Sequence, residues 1–183
     1  LVDKDLGITS HDVVSRVRRL AATRKVGHAG TLDPMATGLL TVGVGKATRL
    51  LNYLVGADKT YEATIRLGVG TDTEDAHGQV TQVVAPGQVD LGRLQAAAAQ
   101  LTGPISQVPS SFSAIKVNGV RAYDLARSGQ EVELEARQVT IHSFDLGQVN
   151  STSASYPGWG QVPVVDVKVQ VSCSSGTYIR ALA

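Results

Sequence analysis

Apolar positions in the first third of the chain keep a helical rhythm. Val13, Val14, Val17, Leu20 and Ala21 recur three and four residues apart, which predicts a helix from Thr9 to Leu20 with these side chains in one stripe. Thr9 with Asp12 is a capping pattern, and an acid is well placed at a helix N-terminus. Gly27 to Gly38, punctuated by glycine, proline and threonine, predicts a structured loop. Leu39 to Val44 predicts a short buried strand, and Ala47 to Leu54 a second helix with Leu50, Leu51 and Leu54 inward. At Thr60 the rhythm changes to alternation. Tyr61, Ala63, Ile65 and Leu67 share one face, and Thr60, Glu62, Thr64 and Arg66 the other, predicting a strand buried on one side.

Further on, Gly68 to Gly78 is polar and acidic and predicts a loop, followed by a strand from Gln79 to Val84. Asp90 can cap a helix running through Leu101, which Gly103-Pro104 ends. Gln107 to Gly119 is Ser-rich and weakly periodic; Ala122 to Arg127 predicts a short helix and Ser128-Gly129 a turn. Val139 to Leu146 and Val162 to Ser172 predict strands, with Val165, Val167, Val169 and Val171 on one face. Between them, Asn150 to Gly160 predicts an excursion at a mobile hairpin tip. Ser174-Ser175-Gly176 is a turn, and a helix starts at Thr177. Strand runs interleaved with a few helices, without regular βαβ alternation, predict an α+β fold whose central mixed sheet is mostly antiparallel and flanked by helices and loops.

Composition adds bounds. At 183 residues the chain is expected to form one domain, since domains hold roughly 100–200 residues. Hydrophobic residues at 43% and charged ones at 18% are those of a soluble globular protein. No apolar run approaches the roughly 20 residues of a membrane span, and no signal-peptide pattern is present, so a cytoplasmic protein is expected. Cys173, the one cysteine, is expected to be a small buried side chain in a reducing compartment. The chain opens on Leu1 and stops at Ala183 without cap or turn chemistry, which predicts a piece of a longer protein. Net charge is only +1, yet Arg16, Arg18, Arg19, Arg24 and Lys25 lie together with no acid among them. They could hold phosphates or form a solvated helix face.

Candidate chemistry begins with Asp33. Pro34 restricts it to extended backbone, and the surrounding glycines permit close approach, so the loop is either a catalytic mount or a capped turn. His28 could be a general base, a stacking group or structural. No second His or Cys stands at ligand spacing, so no metal is expected. Tyr61 is either core or an aromatic face for a flat ligand. Arg180, two residues after Tyr178, is a surface cation or the partner of a carboxylate. Gly68-Val69-Gly70 and Gly43-Val44-Gly45-Lys46 lack the spacing of nucleotide-binding loops, and no serine stands in a nucleophile elbow.

Together these stretches resemble the TruB family, the tRNA pseudouridine-55 synthases. The most specific match is the run from Gly27 to Leu40, GHAGTLDPMATGLL. Gly7 to Asp12, Lys59 to Ala63, Arg66 to Gly68, Thr71 to Asp75 and Ser175 to Arg180 agree in order, and Pro109 to Val117 resembles the start of an RNA-contacting thumb, expected over about residues 107–135. The resemblance implies that Asp33 is the catalytic aspartate and that Tyr61 stacks on the target uracil. It implies that His28 fills the space of flipped bases, that Arg180 pairs with Asp33, and that Tyr178 assists beside the site. Lys4 would have a structural or supporting role. Arg16, Arg19, Arg24 and Lys25 would hold RNA backbone. The implied partner is tRNA, bound at its T-stem-loop by a monomer, with no membrane and no cofactor. Asp5, where the family usually has proline, and Phe112, where it usually has tyrosine, depart from the pattern. The family also continues beyond Ala183, with the rest of the catalytic domain and a C-terminal RNA-binding domain. Two other readings compete. One is a non-catalytic RNA-binding or tRNA-folding module. The other is a nucleoside glycosidase drawing a second carboxylate from Asp72, Glu74 or Asp75.

Overall fold

The structure is a computed structural model describing residues 1–113, 115–117, 119–130 and 132–183, with only the backbone of Arg127. Ala114, Asn118 and Glu131, within the expected thumb, lie outside the described residues. The chain forms two compact units, Leu1–Ala57 and Asp58–Ala183.

In the first unit, β1 (Val2–Lys4), β2 (Val26–Ala29) and β3 (Gly38–Val44) form an antiparallel sheet in the order β1-β3-β2. Helix α1 (Ser10–Leu20) starts at Thr9, whose side chain accepts from the Asp12 amide while the Asp12 carboxylate accepts from the Thr9 amide at 2.8 Å. Val13 and Val14 are buried, but Leu20 and Ala21 are exposed, so the apolar stripe is shorter than its spacing implied. The chain turns away there. Ala22 adopts φ 45° and Thr23 N–H reaches back to the Arg18 carbonyl, closing the helix before its last turn finds a facing element.

The loop expected over Gly27–Gly38 begins as strand β2, and only 30–37 is loop. A glycine disguised that strand. Gly27 and Gly43 are register partners, and a Cβ at Gly43 would meet Leu51 Cγ at 3.0 Å. The glycines let Leu51 approach the sheet, which is a packing requirement rather than a turn signal. The expected second helix is a 3₁₀ turn (Gly45–Arg49) followed by α2 (Leu51–Val55). Leu51 is buried, whereas Leu50 and Leu54 are exposed, contrary to the inward trio.

The second unit is built on an antiparallel sheet ordered β4-β11-β10-β7, from β4 (Lys59–Leu67), β7 (Gly103–Gln107), β10 (Arg137–Tyr156) and β11 (Gly160–Cys173). Short hairpins pair β5 (Val69–Thr71) with β6 (Val80–Val83), and β8 (Lys116–Val117) with β9 (Val120–Arg121). Helices α3 (Leu91–Gln100) and α4 (Ala122–Arg127) complete it, with a 3₁₀ turn at Ile179–Leu182 in place of the α-helix start. Val165, Val167, Val169 and Val171 are buried with Ile141, Cys173 and Leu182, and the alternating face Tyr61, Ala63, Ile65 and Leu67 packs against them. The α+β class is as expected, and every strand pairing among the described residues is antiparallel.

Three expectations are corrected here. The Gly68–Gly78 loop contains β5, because its pairing to β6, from Val69↔Val83 to Thr71↔Val80, comes from beyond the loop and leaves no local pattern. Gly103-Pro104 ends α3 but also opens β7, bonded to β10. Asn150 to Gly160 is almost wholly strand, with register from Val149↔Val167 to Tyr156↔Gly160. Its serines and threonines are largely exposed on both faces, so no hydrophobic alternation marked it.

Candidate active site

Asp33 sits in the 30–37 loop joining β2 to β3, with Gly30 at φ 95° and Gly38 at φ 104° at its two ends. The half-buried Asp33 has its own carbonyl closed in a turn by Ala36 N–H at 3.0 Å. Both neighbours are gripped. Before it, the buried Ser10 hydroxyl accepts from Leu32 N–H at 2.9 Å and donates to Leu32 O at 3.2 Å. After it, the Pro34 carbonyl accepts from Gly7 N–H at 2.8 Å and from Lys4 Nζ at 3.3 Å.

Lys4 is 0% exposed. Its ammonium also donates to Ile8 O at 2.7 Å and Asp5 O at 3.0 Å, which is what a buried cation needs. Burial pulls Lys4 below the ordinary lysine value, and the carboxylates of Asp5 and Asp33 push it back. The supporting role expected of Lys4 thus has a geometry: it ties β1 and the segment after it to the residue following Asp33. Asp5, the departure noted in the sequence, contributes its carbonyl to that cage.

His28 lies on β2 opposite Val42, and its Nδ1–H donates to Gly30 O. This fixes the ring at the entrance of the Asp33 loop. Arg16, Arg19, Arg24 and Lys25 are exposed. Arg18 is not available in the same way: half-buried, it donates to Val26 O at 3.2 Å. It braces α1 against β2, so it drops out of the cationic cluster.

In the second unit, Tyr61 is half-buried on β4 at the register of Val171. Tyr178 precedes the terminal 3₁₀ turn in extended conformation, with φ −102° and ψ 107°. Its backbone is held by the side chain of Gln107, which accepts from Tyr178 N–H and donates to Tyr178 O, both at 2.9 Å. Two residues on, Arg180 donates to Asp75 Oδ2 at 3.2 Å, Thr73 O at 3.0 Å and Phe112 O at 3.2 Å. The Arg180 and Asp75 side chains are only 12% and 10% exposed.

The acidic loop is therefore a mount for Arg180. Asp75 Oδ1 accepts from Thr73 Oγ1 at 2.7 Å and His77 N–H at 2.9 Å, and Asp72 Oδ1 accepts from Gln79 N–H at 2.7 Å. A Cβ at Gly78 would lie 2.6 Å from Asp72 Oδ1 and 2.9 Å from Thr71 Cβ, so a larger residue there would have to displace these side chains. A concavity of about 400 Å³ in this unit, beside Leu67, Gly68, Val84, Pro86 and Val89, involves none of the expected site residues.

Ser10, Gly7 and Gln107 were not among the expected site residues. Ser10 acts across 22 residues and Gln107 across 71, and a lone serine or glutamine carries no sign of such a partner.

The profile of the TruB family pseudouridylate synthase (N terminal domain) matches residues 18–179. The chain belongs to the TruB family. tRNA pseudouridine synthase B of Arthrobacter sp. (strain FB24) is 61% identical over all 183 residues, which span 58% of that relative's length. The corresponding protein of Thermobifida fusca (strain YX) is 55% identical, with 61% of its length covered. Among solved structures, a chain of a Cbf5-Nop10-Gar1 complex matches with TM-score 0.65 and 27% identity, over 98% of this chain and 40% of its own. A chain of an H/ACA RNP bound to a substrate RNA containing 2′-deoxyuridine matches with TM-score 0.62 and 26% identity, over 98% and 38%. The matched range, 18–179, spans the positions of His28, Asp33, Tyr61 and Tyr178. No helix is long and apolar enough to cross a membrane among the described residues.

Proposed function

We propose that the protein containing this chain converts the uridine at position 55 in the T-loop of tRNA to pseudouridine, with Asp33 as the catalytic carboxylate. The observation that carries this is the Asp33 loop, held on both sides by Ser10, Gly7 and Lys4, in a chain of the TruB family.

The reaction breaks the N1–C1′ bond, turns the uracil and joins C5 to C1′. The C5 proton is lost and N1 gains one, so substrate and product are isomers and no redox or phosphoryl partner enters. Asp33 serves either as nucleophile at C1′ or as base for the 2′ proton, leading to a glycal. Taking the base out of the stack costs a few kcal/mol. Stacking on an aromatic ring returns about 1–3 kcal/mol, which is the role assigned to Tyr61. His28 fills the vacated space, Tyr178 assists beside the uracil, and Arg180 pairs with Asp33. Arg16, Arg19, Arg24 and Lys25 hold phosphates and fix register without reading sequence. The segment at about 107–135 contacts RNA. The protein acts as a monomer in the cytoplasm.

The test uses the intact protein with uridine-labelled tRNA transcript. Asp33→Asn should retain RNA binding and lose turnover by about a thousandfold or more. Equal pseudouridine from both proteins would remove the proposal, and RNA binding without any isomerisation by wild type would favour a tRNA-folding role.

A further inference from the structure

Gln107 is one of few buried polar side chains among the described residues, 5% exposed at the end of the edge strand β7. Its amide meets the Tyr178 peptide as a strand partner would, giving one donor and receiving one, each at 2.9 Å. Five residues later the Phe112 carbonyl accepts from Arg180. The root of the 107–135 segment is thus bonded at two points to the turn carrying Tyr178 and Arg180. Nothing comparable is required to hold β7 itself, which is already paired with β10 from Gly103 to Gln107.

We propose that Gln107 is a positioning residue for catalysis. It makes the root of the RNA-contacting segment and the Tyr178–Arg180 turn one rigid piece, so that the tyrosine ring and the guanidinium are placed before the uridine arrives. This rests on the reading of Tyr178 and Arg180 as substrate-binding residues. A buried amide suits the task because both its ends are directional, and losing either leaves a Tyr178 backbone group unsatisfied.

Gln107→Leu removes both bonds at similar volume, and Gln107→Glu removes the donor while keeping an acceptor. Each is made in the intact protein and compared with wild type and Asp33→Asn on uridine-labelled tRNA. The measurements are kcat, KM, RNA affinity, thermal melting and amide hydrogen exchange at Tyr178. Both variants should stay folded and bind RNA within about twofold of wild type, while kcat falls about ten- to hundredfold. Exchange at Tyr178 should accelerate in Gln107→Leu. Wild-type kcat in Gln107→Leu, a fall in RNA affinity that matches the fall in turnover, or loss of the fold in both variants overturns the inference. If Asp33→Asn is inactive and Gln107→Leu is not impaired, the positioning role fails while the reaction assignment stands. If wild type makes no pseudouridine, the assignment itself fails, and the exchange measurement still reports whether Gln107 holds Tyr178.

Discussion

Asp33 lies between two residues whose backbones other side chains hold, and this arrangement predicts separable effects. Ser10 supplies one hydroxyl to both polar groups of Leu32. Ser10→Ala should cost about 1 kcal/mol, since it leaves the partly buried backbone groups of Leu32 without this partner. Urea denaturation measures that cost. Turnover should fall further than RNA affinity, because the substitution loosens the residue preceding Asp33 and leaves the exposed cations untouched. An unchanged denaturation midpoint with unchanged turnover would show that the Ser10 bonds hold nothing that matters. Asp33 was legible in the sequence because its immediate neighbours are distinctive. Its supports were not, because they are ordinary residues made specific only by where the chain brings them.

At the scale of elements, the cross-strand pair Arg66–Asp166 ties β4 to β11. The guanidinium meets the carboxylate through two bonds of 2.7 Å, and Arg66 also donates to Tyr156 Oη at 3.1 Å. The hydrogen bonds from Arg66 hold the Asp166 carboxyl below its ordinary 3.8, with burial opposing. A carboxylate depressed in the folded state contributes stability that is present above its unfolded value. That contribution disappears as pH falls through the lower folded value. Wild type should therefore exceed Asp166→Asn in stability at neutral pH, and the gap should close as the solution is acidified below 3.8. Denaturation midpoints across that range check the sign, and a gap independent of pH would contradict it. Because Arg66 is substantially exposed, the effect should be modest, under about 1 kcal/mol. The strands themselves were legible in part. Thr60 to Leu67 and Val162 to Ser172 announce themselves because one face meets a core. Asn150 to Tyr156 and β2 do not, since serines exposed on both faces and a glycine placed for packing look like loop.

For the whole molecule, the expected docking surface is electrostatic. Arg16, Arg19, Arg24 and Lys25 are exposed, whereas Arg18 is engaged with Val26. Each of the four that meets a phosphate should lower the magnitude of the salt slope of tRNA binding by about 0.7–0.9 when replaced by alanine. Arg18→Ala should act through the stability of α1 instead. Affinities measured across a salt series separate the two, and a slope unchanged in the fourfold alanine variant would remove this surface from the docking face.

What the sequence determined by itself was local. It marked α1 through its cap and apolar spacing, the alternating faces of β4 and β11, and the Asp33 loop with the family resemblance it carries. These depend on residues within a few positions of one another, where spacing alone fixes geometry. The tertiary structure decided which polar groups are held and by what. Lys4 and Ser10 grip the flanks of Asp33, Asp75 and Phe112 hold Arg180, and Gln107 holds Tyr178 across 71 residues. Buried hydrogen bonds are directional and satisfied by whatever the fold brings near, so their partners are written in the fold and not in the spacing.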